Sequence, residues 1–167
     1  NSDRSRIASC EVSKCDRGIW LNGMTSYTTV ENCRFFGINH SAIRVETNGD
    51  HTRLVGNRIE SSACGVLVTQ SKDVLVQGVE ITDSVTGILV YQPSTSETTP
   101  ILIERCRIQK CQKGINLDQA EWTLVNETCF EKNELGISER ASAHAGMYFW
   151  RNNFLWNTVH LQQSITG

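Results

Sequence analysis

Ile103-Glu104-Arg105-Cys106-Arg107-Ile108, followed six residues later by Gly114-Ile115-Asn116-Leu117, is the stretch on which the fold turns. Its second half, a small residue and then two apolar positions two apart, returns seven times along the chain. It reads Gly18-Ile19-Trp20-Leu21, Ala42-Ile43-Arg44-Val45, Gly65-Val66-Leu67-Val68, Gly87-Ile88-Leu89-Val90, Gly114-Ile115-Asn116-Leu117, Gly136-Ile137-Ser138-Glu139 and Thr158-Val159-His160-Leu161. The steps between the first residues are 24, 23, 22, 27, 22 and 22, and a fixed period of this size is the signature of a solenoid.

Two more apolar columns keep the same register. One runs through Ile7, Val30, Leu54, Val76, Ile103, Val125 and Phe149, and the other, five residues further on, through Val12, Phe35, Ile59, Ile81, Ile108, Phe130 and Phe154. Each repeat therefore holds three short stretches that alternate with a period of two, as strands do. Helical repeats need 33 or more residues and apolar spacings of three and four, whereas these segments are short and rich in Val and Ile. The pattern predicts an all-β, single-stranded, right-handed parallel β-helix of about seven coils with three short strands per coil. The coils fall near 6–27, 28–51, 52–73, 74–100, 101–122, 123–146 and 147–167 of one domain. Coils stacked at about 4.8 Å would make a rod roughly 34 Å long.

The motif I-x-x-C/N-x-I followed by G-I-x-L resembles the right-handed β-helix repeats of pectate-lyase-like proteins, from about Arg6 to Gln162. The resemblance implies that the G-I-x-L sheet faces a substrate groove and that Asn stacks in the corner after the first strand. Here that corner column reads Cys10, Cys33, Asn57, Val79, Cys106, Thr128 and Asn152, so the expected Asn ladder is fragmentary and Cys substitutes for it. The fold itself hosts lyases, hydrolases, epimerases, tailspikes and non-enzymatic interaction domains.

Composition narrows the partners. The net charge of -2 gives no electrostatic footprint for nucleic acid, and no apolar run reaches 18 residues, so neither nucleic acid nor membrane is expected as a partner. The repeat begins and stops almost with the chain and lacks capping helices, which points to one domain of a longer protein or to a homo-oligomer. Seven cysteines leave one thiol unpaired in a monomer. Cys10 with Cys15, and Cys106 with Cys111, share a C-x4-C spacing, yet the two pairs sit four coils, about 19 Å, apart and cannot share one tetrahedral ion. No metal and no cofactor is expected; reduced thiols stacked at corners favour a cytoplasmic origin, with secretion as the alternative. The sequons Asn39-His40-Ser41 and Asn126-Glu127-Thr128 would carry glycans only in a secreted protein.

Chemistry is expected on loops and on the outward face of the G-I-x-L sheet. The longest loop is Tyr91–Pro100; Thr47–His51 and Arg140–Gly146 each bring a histidine. Outward positions form a ladder of Trp20, Arg44, Leu67, Leu89, Asn116, Ser138 and His160, followed by Asn22, Glu46, Thr69, Tyr91, Asp118, Arg140 and Gln162. Trp20 beside Arg44 is a candidate sugar platform, because an aromatic face stacks C–H surface and a guanidinium forks to carboxylates. The candidate ligand-binding set is Trp20, Arg44, Glu46, Tyr91, Asn116, Asp118 and His160. No catalytic triad, acidic trio or calcium cluster is legible; an enzyme on this scaffold would be a polysaccharide lyase, hydrolase or epimerase. The first functional reading is carbohydrate binding or processing along this sheet, with a poly- or oligosaccharide as partner. The second is a non-enzymatic protein-interaction module, for which the exposed Leu67 and Leu89 also speak, and the third a structural stalk of a phage fibre.

Overall fold

Short runs of Val and Ile alternating with polar residues can bury one side only if another strand covers them, and here the cover is the same segment one coil on. The computed structural model describes residues 4–23, 25–141 and 146–165. All its regular elements are strands, every pairing between them is parallel, and no helix occurs among the described residues. The chain is an all-β parallel solenoid of about seven turns.

The first face stacks Arg6–Ala8, Thr29–Glu31, Arg53–Val55, Val74–Gln77, Ile101–Glu104, Thr123–Asn126 and Tyr148–Trp150. The second begins with Glu11–Ser13 and ends with Asn153–Leu155, and the third runs from Ile19–Asn22 to Val159–Ile165. These two faces form one twelve-stranded sheet, because Arg34–Glu46 and Arg58–Thr69 pass around the corner between them unbroken. A register shift between Ile38 and Ser41 absorbs one extra residue there.

The expected inward columns of the first two faces hold along their whole length. Ile7 pairs with Val30, Val30 with Leu54, and so on to Phe149; Val12 pairs with Phe35 and the column ends at Phe154. On the third face Ile19, Ile43, Val66, Ile88, Ile115 and Ile137 stack as expected. The last coil departs from expectation. Leu161, not Val159, lies opposite Ile137, and Val159 lies opposite Leu135. A slip of two residues keeps the alternation intact, so apolar pattern alone cannot distinguish the two registers.

The recurrent glycine has a steric cause. A Cβ at Gly87 would sit 2.4 Å from the carbonyl oxygen of Gly114, and one at Gly114 the same distance from that of Gly136. Corners, by contrast, are closed by side chains. Cys33 N–H donates to Asn57 Oδ1 at 3.0 Å and Thr128 N–H to Asn152 Oδ1 at 3.0 Å, two segments of a first corner ladder that Val79 interrupts. A second ladder follows five residues later. Ser62 N–H donates to Ser84 Oγ, Cys111 N–H to Asn133 Oδ1, and Asn133 N–H to Asn157 Oδ1 at 2.9 Å. Cys15 and Cys111 belong to this second corner, so each C-x4-C spacing spans two different corners and not one chelate.

Replacing Ile88, fully buried, by Asp should unfold the domain, since an unpaired charge costs several kcal/mol, on the order of the whole margin. Gly87→Ala should cost about 1 to 3 kcal/mol, because the obstacle is backbone and cannot swing aside. Urea melts check both, and a native midpoint for either would refute the register. On the second face Glu131 accepts from Arg107 Nη2 at 2.8 Å, and this bond holds its carboxyl below the usual range. Its folded value lies under the unfolded one of about 4.3, so the stabilisation is present above that pH and is lost as pH falls through the depressed value. Glu131→Gln should therefore flatten the loss of stability between neutral and strongly acidic pH, and an unchanged pH dependence would contradict this.

Candidate functional site

Outward residues of the third face fall into two groups. At the near end, Trp20 Nε1 donates to Glu46 Oε2 at 2.9 Å, and Arg44 Nε approaches the same oxygen at 2.7 Å as an ion pair. The guanidinium carbons of Arg17 and Arg44 lie 5.2 and 5.4 Å from the Trp20 ring centroid. The structure thus joins three of the sequence-derived candidates and adds Arg17, which precedes Gly18 at the corner and stands off the alternating column. Within the cluster the indole N–H is bonded, the carboxylate paired and the ring flanked by two cations, while the buried Arg44 Nε makes no hydrogen bond.

Further along, Tyr91 lies opposite Asp118, and Asp118 opposite Arg140, while Asn116 sits between Leu89 and Ser138. Tyr91 is exposed. This second group stands three coils from Trp20, about 14 Å, with the half-buried Leu67 and Leu89 between them. His160 is not on the outward ladder. Gln162 pairs with Ser138 and Ser164 with Arg140, and the His160 ring lies 5.6 Å from Phe154. The cause is the two-residue slip of the last coil.

Of the three loops, Tyr91–Pro100 is built into the corner leading to the first face. Ser94 N–H donates to the Ser71 carbonyl and Thr95 Oγ1 to the Glu121 carbonyl, which ties it to the coils on either side. The portion 142–145 of the Arg140–Gly146 loop, with His144, lies outside the described residues. His51 packs at the same corner, its ring 4.6 Å from Tyr27 and nearly parallel, its Nδ1 2.5 Å from Asp73 Oδ2. Tyr27 and His51 precede a first-face strand by two residues and Asp73 by one, and all three take positive φ, a corner alignment that hydrophobic pattern does not encode. Beside them a concave region of about 370 Å³ is bounded by Arg4, Thr29 and Arg53.

A strip of apolar side chains covers the far half of the first face. Leu75, Leu102 and Leu124 stack in register, Tyr148 continues the column, and Trp150 stands beside it. Tyr148 is 61% and Trp150 63% exposed, and together with Leu102, Leu124 and Asn126 they enclose about 180 Å³. Sequence reading missed this strip because it followed inward columns and assigned the outward positions of only one face.

All seven cysteines are free thiols. Burial pushes Cys64 and Cys106 up to about 12 and Cys111 to about 11, while Cys33 is raised by the same cause. Iodoacetamide at pH 8 should modify the exposed Cys10 in the native protein and leave Cys106 and Cys111 untouched until urea is added. Peptide mass spectrometry reads the sites, and native labelling of Cys106 would overturn the assigned core. In the sequon Asn126-Glu127-Thr128, the Thr128 hydroxyl is buried and bonded to the Asn126 carbonyl.

Comparison with protein families gives one finding. The family model described as "Periplasmic copper-binding protein (NosD)" matches residues 1–167, the whole chain, and no curated protein matches. A periplasmic family supports an extracytoplasmic location over the cytoplasmic one expected from unpaired thiols. The described residues do not supply a shell of three or more ligands for resident copper. No three His, Cys, Asp or Glu side chains among them converge, and Met147 packs against the core. His40 stands beside Asp16, His51 beside Asp73 and His160 against Phe154, on separate coils. With a parallel β-helix formed along its length and a family match that covers all of it, the chain belongs to the NosD family.

Proposed function

We propose that this chain is a non-catalytic docking module of a periplasmic NosD-type protein, and that it takes part in copper handling by binding a partner protein. The family description supports the compartment and the link to copper. The observation that carries the docking role is the first-face strip of Leu75, Leu102, Leu124, Tyr148 and Trp150. Exposed Trp and Tyr around a small apolar depression have the composition of an interface hot spot, and the β-helix beneath holds them rigidly. In this reading copper is cargo carried by the partner, in keeping with the absence of a converging ligand set among the described residues.

A second reading, carbohydrate binding on the third face, is favoured by the Tyr91, Asp118 and Arg140 column, where an aromatic, a carboxylate and a guanidinium stand on successive coils. The Trp20 cluster supports it less, since its ring already contacts two guanidinium groups.

The test is retention from a periplasmic extract on the immobilised domain, with copper in the eluate measured by mass spectrometry. The unmodified domain should retain a copper-containing protein, and Leu124→Glu should reduce the retained copper at least about tenfold, as expected when a charge is forced into an interface core. Equal retention by the variant would overturn the docking face. A glycan bound by the domain and lost in Tyr91→Ala, with no copper protein retained, would move the assignment to the second reading.

A further inference from the structure

Outward positions of the second face form a grid of two columns. Across the first three coils one column reads Glu11, Arg34, Arg58 and the other Ser13, Phe36, Glu60. Side chains directly opposite on neighbouring strands interact, and like charges placed there repel. On either side of the step from Arg34 to Arg58 this first column alternates in sign as far as Arg107: Glu11 is 3.9 Å from Arg34, and Glu80 stands between Arg58 and Arg107. Only that step sets like on like. Arg58 makes no ion pair among the described residues, and Arg34 has just the long contact to Glu11.

The gap between the two guanidiniums opens into a concavity of about 370 Å³. Lys14 closes it at the corner, where its backbone N–H donates to the Phe36 carbonyl. Phe36, 44% exposed although aromatic, forms a wall, and Glu60 lies beyond it. The lining carries three cations against two carboxylates, one net positive charge.

We propose that this concavity is a binding site for a singly charged carboxylate carried on a flat or ring-shaped apolar body. The carboxylate lies between Arg34 and Arg58, where forked N–H donors from neighbouring strands reach its two oxygens and remove the repulsion between them. Lys14 adds a third donor, and the ring body rests on Phe36. Glu11 and Glu60 disfavour a dianion, so a monoanion is preferred over a phosphate ester. This site is independent of the first-face strip, and its failure would leave the docking reading intact.

Amide NMR titration of the folded domain tests the assignment, with benzoate and cyclohexanecarboxylate as probes and benzamide and inorganic phosphate as comparators. Saturable shifts at residues 13–14, 34–37 and 58–60 with the two carboxylates are expected, and the tighter of the two identifies the body as aromatic or saturated. Arg58→Ala, which removes an exposed side chain without an ion pair, should weaken carboxylate binding roughly tenfold, the loss of one charge-assisted contact. Arg53→Ala on the first face, also without an ion pair among the described residues, should leave it unchanged. Benzamide binding as tightly as benzoate, phosphate binding as tightly as benzoate, or an unaltered affinity in Arg58→Ala would each overturn the proposal.

Discussion

In-register stacking of each coil on the next is the constraint from which the rest of this structure follows. A strand of three residues buries little by itself, and its N–H and C=O groups are satisfied only by the same segment one period away. Each position therefore has its own counterpart as its principal neighbour. This explains why the core is columnar, with Ile on Ile from Ile88 to Ile137, and why Gly87 and Gly114 leave no room for a Cβ: the next coil's carbonyl occupies that space. It also explains the corners, where a backbone N–H with no strand partner is met by Asn, Ser, Thr or Cys from the adjacent coil.

The same rule governs the outer surface, where it turns single side chains into rows. A row of matched charges is neutral, as with Arg107 above Glu131's coil or Arg6 bridging to Glu31; a mismatched step leaves charge unspent, and a row of leucines becomes a strip. Function on such a scaffold arises where the row is broken or left uncovered. The Trp20, Arg44 and Glu46 cluster is the contrary case. Its members were brought together as their spacing foretold, and the indole N–H and both charges are spent within the cluster.

Much of the fold was readable because burial imposes a period of two within strands and about 22 to 24 between coils, and both survive in the apolar residues. The first corner was readable in part through Cys33, Asn57 and Asn152. The second corner was not, since Ile38 interrupts it and Ser, Cys and Asn alternate along it, although each residue type there meets the same geometric demand. The final coil was misregistered by two because Val159 and Leu161 have the same phase. The His51 and Asp73 contact was hidden for another reason: it depends on left-handed corner conformations, which leave no apolar trace. The candidate site was legible as a face and not as a set of contacts, because spacing fixes which column a residue joins and says nothing of what its tip reaches.

The sealed thiols carry a consequence for how the protein matures. In an oxidising compartment an unfolded chain with seven cysteines is exposed to indiscriminate cross-linking, and any bridge between distant coils would prevent their stacking. Once the coils close, Cys33, Cys106 and Cys111 lie inside hydrogen-bonded corners, beyond the reach of dithiol oxidases and largely protonated. Maturation is thus a race between coil closure and oxidation. The local connectivity of a solenoid, each coil needing only its neighbour to form, favours folding in that race.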